Sequence, residues 1–204
     1  VAKFLRIAPN LSIECVGKFL GELGHKKTGH ESEGVDFHRQ VLHDYVGSFE
    51  FSGQSLLDSV RIFLSAFLLP KEAQQIDRIF VAFSDHCHKS CVECVNGMLE
   101  NTDVTYLMTI SIIMLNTDLH NDNIRADKKM SMEKFCKVNG FYGADVKQTR
   151  SVPTEYLESI YEAILQYPIR TEPNDDVGDT MKRFTTETWK DLLLQHSIYY
   201  YLAL

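Results

Sequence analysis

Apolar residues recur three and four positions apart along most of this chain. Leu56, Val60, Phe63, Leu64 and Phe67 fall on one helical face after Gly53-Gln54, and Ser55 with Asp58 three residues on forms a capping box at its start. Ile76, Ile79, Phe80 and Phe83 form the next stripe. Leu107 to Leu115 is apolar on every side except Thr109 and Ser111, the pattern of a central buried helix. A further helix is predicted from Ser131 through Met132, Phe135 and Val138 to Gly140, which ends it. The last clear stripe is Tyr156, Leu157, Ile160, Tyr161, Ile164 and Leu165, opening near Pro153-Thr154. Period-two alternation is too sparse to predict a strand, so the fold class is all-α.

Two segments break the periodicity. Gly24 to Asp36 is nearly devoid of apolar residues and reads as a solvated insertion. Thr171 to Thr188, with Pro173, Asn174, Asp175, Asp176 and Gly178, reads as a linker. Trp189, Leu192, Leu193 and the Tyr199–Tyr201 run then start a helix too apolar to stand alone. The expected organisation is a domain over 1–168, a linker over 169–188 and the start of a following helical domain over 189–204. At the other end Val1 to Leu5 begins in mid-helix without an initiator Met, so the sequence reads as a piece of a longer chain.

Composition narrows the function classes. With 204 residues and 44% apolar content, a domain of this length can bury a full core. A net charge of −7 and a pI near 5.6 argue against nucleic acid as partner. The apolar run Leu107–Leu115 is far short of the roughly 18 residues a membrane span needs. Five cysteines, an odd count, fit reduced thiols in a cytosolic setting.

Two stretches carry candidate chemistry. In Phe67 to Arg78, FLLPKEAQQIDR, an apolar helix stops at Pro70 and a lone acid, Glu72, sits at the start of the next helix. In Ile110 to Asn123, a buried helix ends in a polar burst whose Asn116, Asp118, His120 and Asn121 are expected to emerge at the edge of a groove. The run from His86 to Cys94 has one C-x₂-C pair, Cys91 and Cys94, but no second distant pair to close a tetrahedral zinc site, so a solvated loop is expected there. Asp118, His120 and Asp122 read as a polar helix end rather than a hydrolytic metal centre; no metal and no cofactor are expected.

Together the two stretches resemble the signature motifs of the Sec-seven domain, the catalytic module of Arf-family guanine-nucleotide exchange factors. Their usual forms are FRLPGEAQKIDR and a helix ending IMLNTDLHN; here they are FLLPKEAQQIDR and IMLNTDLHN (Ile113–Asn121). Weaker resemblance runs from Val1 through Gln40–His43 to Leu165. The resemblance implies a right-handed superhelix of about ten helices with a hydrophobic groove that docks an Arf GTPase. It implies that Glu72 is a glutamic finger aimed at the Mg²⁺ and β-phosphate of bound GDP. Two like charges about 4 Å apart at an effective dielectric near 20 repel by roughly 4 kcal/mol, about three powers of ten in release rate. The helix macrodipole favours the ionised form of an acid at that position. By the same resemblance Gln74 and Asp77 line the lip beside the finger, and Ile110, Met114 and Asn121 belong to the GTPase-binding groove, a plain core role being the alternative for Ile110 and Met114. The brefeldin A pocket of responsive members maps to Ile110, Ser111, Asp118 and, with one inserted residue, Met130.

This chain departs from the pattern at four places. Lys71 replaces the Gly before the finger, and Leu68 replaces the Arg three residues earlier. If that Gly needs positive φ, Lys71 carries strain of roughly 1 kcal/mol, and its cation sits beside the finger. Ile110 stands where responsive members carry Tyr, which predicts weak brefeldin sensitivity. The Asn139–Gly143 loop does not match the family and supports no assignment. An exchange-impaired helical module that binds an Arf GTPase is the alternative function, and a metal-dependent hydrolase a more distant one. Thr185 to Leu192 resembles the segment after the exchange domain in large Golgi-type factors of the brefeldin-resistance class. The implied parent is cytoplasmic, associates peripherally with Golgi membranes, and reaches them only through its GTPase or its other regions.

Overall fold

The computed structural model describes residues 1–24, 33–140 and 152–170, with the side chains of 33–36 left aside. Among them are nine α-helices, one 3₁₀ turn and no strand: α1 (Ala2–Ile7), α2 (Ile13–Gly21), α3 (Glu33–Val46), α4 (Leu56–Leu64), α5 (Ala73–Cys87), α6 (Val92–Val95), α7 (Thr102–His120), α8 (Met132–Asn139) and α9 (Thr154–Gln166). The all-α expectation holds. Parts of the expected insertion and everything from Thr171 onward lie outside the described residues. Glu33 to Asp36, expected in the insertion, already belong to α3.

Local chemistry sets the helix starts. Ser12, Asn101 and Ser131 accept from the backbone N–H three residues on, opening α2, α7 and α8. Ser55 does the same for α4, but Asp58 answers it through the side chain: the Ser55 hydroxyl donates to Asp58 Oδ2 at 2.7 Å. Gly140 follows α8 with φ −69°, so it ends the helix without the left-handed turn a glycine there suggests.

The centre of the molecule is the packing of α5 on α7. Helices α2 and α3 lean on α5, while α4, α8 and α9 lean on α7, and α1 packs on α3. All four residues of the stripe Ile76, Ile79, Phe80 and Phe83 are fully buried, as are Leu56, Phe63 and Phe67. Phe67 lies past the end of α4 and still reaches the core, packing edge-on to Phe63 with ring centroids 5.0 Å apart; Phe63 stacks on Phe83 at 4.9 Å. Such pairs add about 0.5–1.5 kcal/mol each beyond area burial. On α9 the inward stripe is Leu157, Ile160, Tyr161 and Ile164, whereas Leu165 is 55% exposed.

The cysteine-rich run differs from the expected solvated loop. α5 continues through Cys87, and Cys87, Cys91 and Cys94 are all buried in the core as free thiols. Glu93 is buried with them because its carboxylate accepts from the Leu56 N–H at 2.9 Å, tying α6 to the start of α4. Among the described residues no group of His, Cys, Asp and Glu is arranged to hold a metal, and no helix is long and apolar enough to cross a membrane.

Candidate functional site

Glu72 is the N-cap residue of α5, and no cap hydrogen bond is made by its side chain. The chain on either side of it is firmly anchored. Phe67, Leu68, Leu69 and Pro70 before it are buried, and Ile76 after it is fully buried. Between these anchored ends Lys71, Glu72 and Gln74 are exposed. A glutamate is a poor N-cap, because the favoured residues are the short Ser, Thr, Asp and Asn. The carboxylate therefore stands at the helix entrance without being consumed by the helix. Lys71 is not at positive φ, so it carries none of the strain that replacing a glycine suggested. Leu68 is buried at 7% exposure.

Asp77 links α5 to α7. The Tyr106 hydroxyl donates to Asp77 Oδ1 at 2.8 Å. Burial and the Asp77 charge raise the phenol's pKa, which keeps it a donor. From Tyr106 the α7 positions Ile110, Met114, Asp118 and Asn121 follow at intervals of four, four, four and three, a slow spiral along one side of the helix. Through Tyr106 the structure ties Asp77 to the start of this α7 series. Tyr106, its link, was not singled out in the sequence; its signal was only a tyrosine four residues before Ile110.

The α7 residues differ in exposure. Ile110 and Ser111 are buried at 1% and 2%, so they lie in the core rather than on an open groove wall. Met114, Asp118 and Asn121 are half-buried, and Met130 likewise. Asp118 and Met130, twelve residues apart, are brought together: the Met130 N–H donates to Asp118 Oδ2, and the Tyr161 hydroxyl donates to the Met130 carbonyl at 2.8 Å. Asn121 caps the end of α7, its Oδ1 accepting from the Asn123 N–H at 2.9 Å.

Of the four polar residues expected at the groove edge, Asp118, His120 and Asn121 are half-buried and only Asn116 is withdrawn from the surface. Asn116 is fully buried and grips the backbone of Ile169: the Ile169 N–H donates to Asn116 Oδ1 at 2.8 Å, and Nδ2 faces the Ile169 carbonyl at 3.4 Å. His120 Nε2 lies 2.8 Å from the Ile164 carbonyl; a carbonyl only accepts, so that nitrogen carries the proton. Arg61 makes a similar strap from α4, donating to the Ala163 and Tyr167 carbonyls at the end of α9.

Comparison with known proteins places this arrangement. Residues 1–169 match the sequence family described as the Sec7 domain. The chain belongs to the Sec7 domain family. It is 34% identical over 193 residues to the ARF guanine-nucleotide exchange factor GNOM of Arabidopsis thaliana, covering 95% of this chain and 12% of that protein. It is 33% identical over 184 residues to human Cytohesin-2, covering 90% of this chain and 40% of that protein. The chain thus spans well under half the length of these relatives. Among solved structures, the Sec7p catalytic domain superposes with a TM-score of 0.64 at 32% identity, covering 82% of this chain and 80% of that one. A Sec7 domain bound to ARF1-GDP and brefeldin A superposes with a TM-score of 0.66 at 25% identity, covering 86% and 77%. The Sec7 fold expected from the two motifs is therefore the fold of this chain.

Proposed function

We propose that this domain is a guanine-nucleotide exchange factor for Arf-family small GTPases, acting without covalent chemistry. It would dock the GDP-bound GTPase and hold its nucleotide-free form. The observation that carries the mechanism is the state of Glu72: an exposed carboxylate at a helix N-cap, strung between buried anchors and unused by its own helix. An anion presented in this way can enter the partner's phosphate site, repel the diphosphate and compete for its Mg²⁺. At about 4 Å and an effective dielectric near 20 that repulsion is roughly 4 kcal/mol. Relatives named as exchange factors, and a Sec7 domain solved with ARF1-GDP, support the partner class.

Gln74 and Asp77 form the lip beside the finger in this reading. Met114 and Asn121 meet the partner along α7, where a flexible thioether suits a moving surface, and Ile110 backs them from the core. Asp118 and Met130 would border a brefeldin A pocket formed with the GTPase, with Ile110 and Ser111 behind them in the core. Without a phenol hydroxyl at Ile110 inhibition should be weak; potent inhibition, undiminished relative to Ile110→Tyr, contradicts this. The parent would work in Golgi vesicle traffic from the cytoplasmic side.

Lys71, exposed beside Glu72, supports a second reading in which the domain binds an Arf GTPase but exchanges poorly. Release of a fluorescent GDP from Mg²⁺-loaded Arf separates the two. Acceleration by the wild-type domain, lost in Glu72→Lys, supports exchange. Binding without acceleration supports the impaired module, and neither binding nor acceleration overturns both.

A further inference from the structure

The segment that presents Glu72 rests on helix α2 at both flanks. Before the finger, the Leu68 N–H donates to the Ile13 carbonyl at 3.1 Å. There the Leu68 carbonyl crosses α2 directly over Gly17. A methyl group at position 17 would overlap that carbonyl oxygen outright and sit 2.8 Å from its carbon. After the finger, α5 crosses the same helix over Gly21, where a methyl would come within 2.7 Å of Gln75 Cβ and 3.2 Å of Pro70 Cγ. Arg78 closes the contact from α5, its guanidinium donating to the Gly21 carbonyl through Nε at 3.0 Å and through a second nitrogen.

Gly17 and Gly21 are about one helical turn apart, so they share a face of α2. Neither has positive φ. What the fold uses at these positions is the missing Cβ, which lets the finger segment lie on α2 at backbone distance. Arg78 is also close enough to Glu72 and Asp77 for both charges to act on it. It ties the far flank of the finger to α2.

We infer that Gly17 and Arg78 are positioning residues for exchange: α2 sets how far Glu72 reaches, through the Leu68 carbonyl on one side and the Gly21 carbonyl on the other. The inference rests on the exchange reading above. A side chain at position 17 must lift the loop, and an offset of about 1 Å at a reacting group costs on the order of 100-fold. Docking uses Met114 and Asn121 on α7 as well as the Gln74 lip, so the larger loss should fall on turnover.

The test is a double-mutant cycle on catalysed GDP release from Mg²⁺-loaded Arf, with Gly17→Ala, Glu72→Gln and both together, kcat and KM for Arf·GDP measured separately. Far-ultraviolet circular dichroism checks the fold of each variant. The expected result is a fall in kcat of about 100-fold for Gly17→Ala with KM within about threefold, and no further fall when the change is added to Glu72→Gln. Arg78→Gln, which cuts the tie to Gly21 without adding bulk, should behave alike with a smaller loss, and carries the test if Gly17→Ala does not fold. Equal proportional losses in the wild-type and Glu72→Gln backgrounds, a loss confined to KM, or no loss would overturn the inference while leaving the exchange reading intact. A wild-type domain with no acceleration would instead overturn the exchange reading itself.

Discussion

The two signature stretches of this domain are opposites in the way they treat their polar residues. At the end of α7 the side chains are spent on the protein: Asn116 on Ile169, Asp118 on Met130, His120 on Ile164, Thr117 on the Ile113 carbonyl. At the start of α5 the exposed residues Lys71, Glu72 and Gln74 are left facing outward, and the strong contacts lie in the neighbouring backbone. One motif therefore builds a rigid wall, and the other displays an acid. A substitution at one of those internal ties should cost stability, and one at the displayed acid should cost activity.

The largest expected effect is on activity. Glu72→Lys should abolish catalysed GDP release, a loss of about three powers of ten, while the urea midpoint stays near wild type because the side chain caps nothing. Next comes Asn116→Ala, which strands buried backbone groups of Ile169 and should lower unfolding free energy by about 2–3 kcal/mol in urea titrations. Its exchange rate per folded molecule should stay within a few-fold of wild type. If Asn116→Ala instead abolished exchange in a fully folded domain, the division between wall and finger would fail.

The sequence disclosed these two motifs unequally. Helical stripes such as Ile76–Phe83 were legible because burial follows the 3.6-residue period, and capping residues such as Ser55 and Ser131 advertise helix starts. The polar burst of α7 was not, because a sequence shows that Asn116 and His120 are polar but not which distant carbonyl they meet; Ile169 is far along the chain. The same limit hid the cysteine run. C-x₂-C beside histidines suggests water or metal, yet Cys87, Cys91 and Cys94 sit on the core side, and the polar partner of Cys94, Thr105, comes from α7. Gly17 and Gly21 gave no signal at all, since their role lies in the Leu68 and Gln75 atoms that cross them.

Smaller effects sharpen the picture of the buried wall. The Cys91 thiol is pushed up to about 12, first by its hydrogen bond with Cys87, with burial adding to it and the contact with Cys94 opposing. Tyr45 is pushed up to about 12 by burial, against the pull of Arg6. Both pKa values are raised above those of the unfolded chain, so this stability is complete below about pH 8.5 for the thiol and about pH 10 for the phenol, and is lost as pH climbs toward 12. Thermal midpoints should fall steadily above about pH 9; a flat profile to about pH 11 would contradict the buried placement. In the native domain at about pH 8, a thiol reagent should label exposed Cys15 first and leave Cys87, Cys91 and Cys94 until unfolding. Smallest of all, Gln74→Ala, an exposed lip substitution, should move stability by less than about 0.5 kcal/mol and alter only the KM for the GTPase.

In the proposed mechanism the charge of Glu72, held out by anchored neighbours, drives nucleotide release. The direct measurement is the GDP-release rate from Mg²⁺-loaded Arf at saturating domain, wild type against the neutral isostere Glu72→Gln, with nucleotide-free complex formation followed in parallel. The expected result is a loss of at least about 100-fold in rate with the complex still forming. A Glu72→Gln domain that releases GDP as fast as wild type would contradict it.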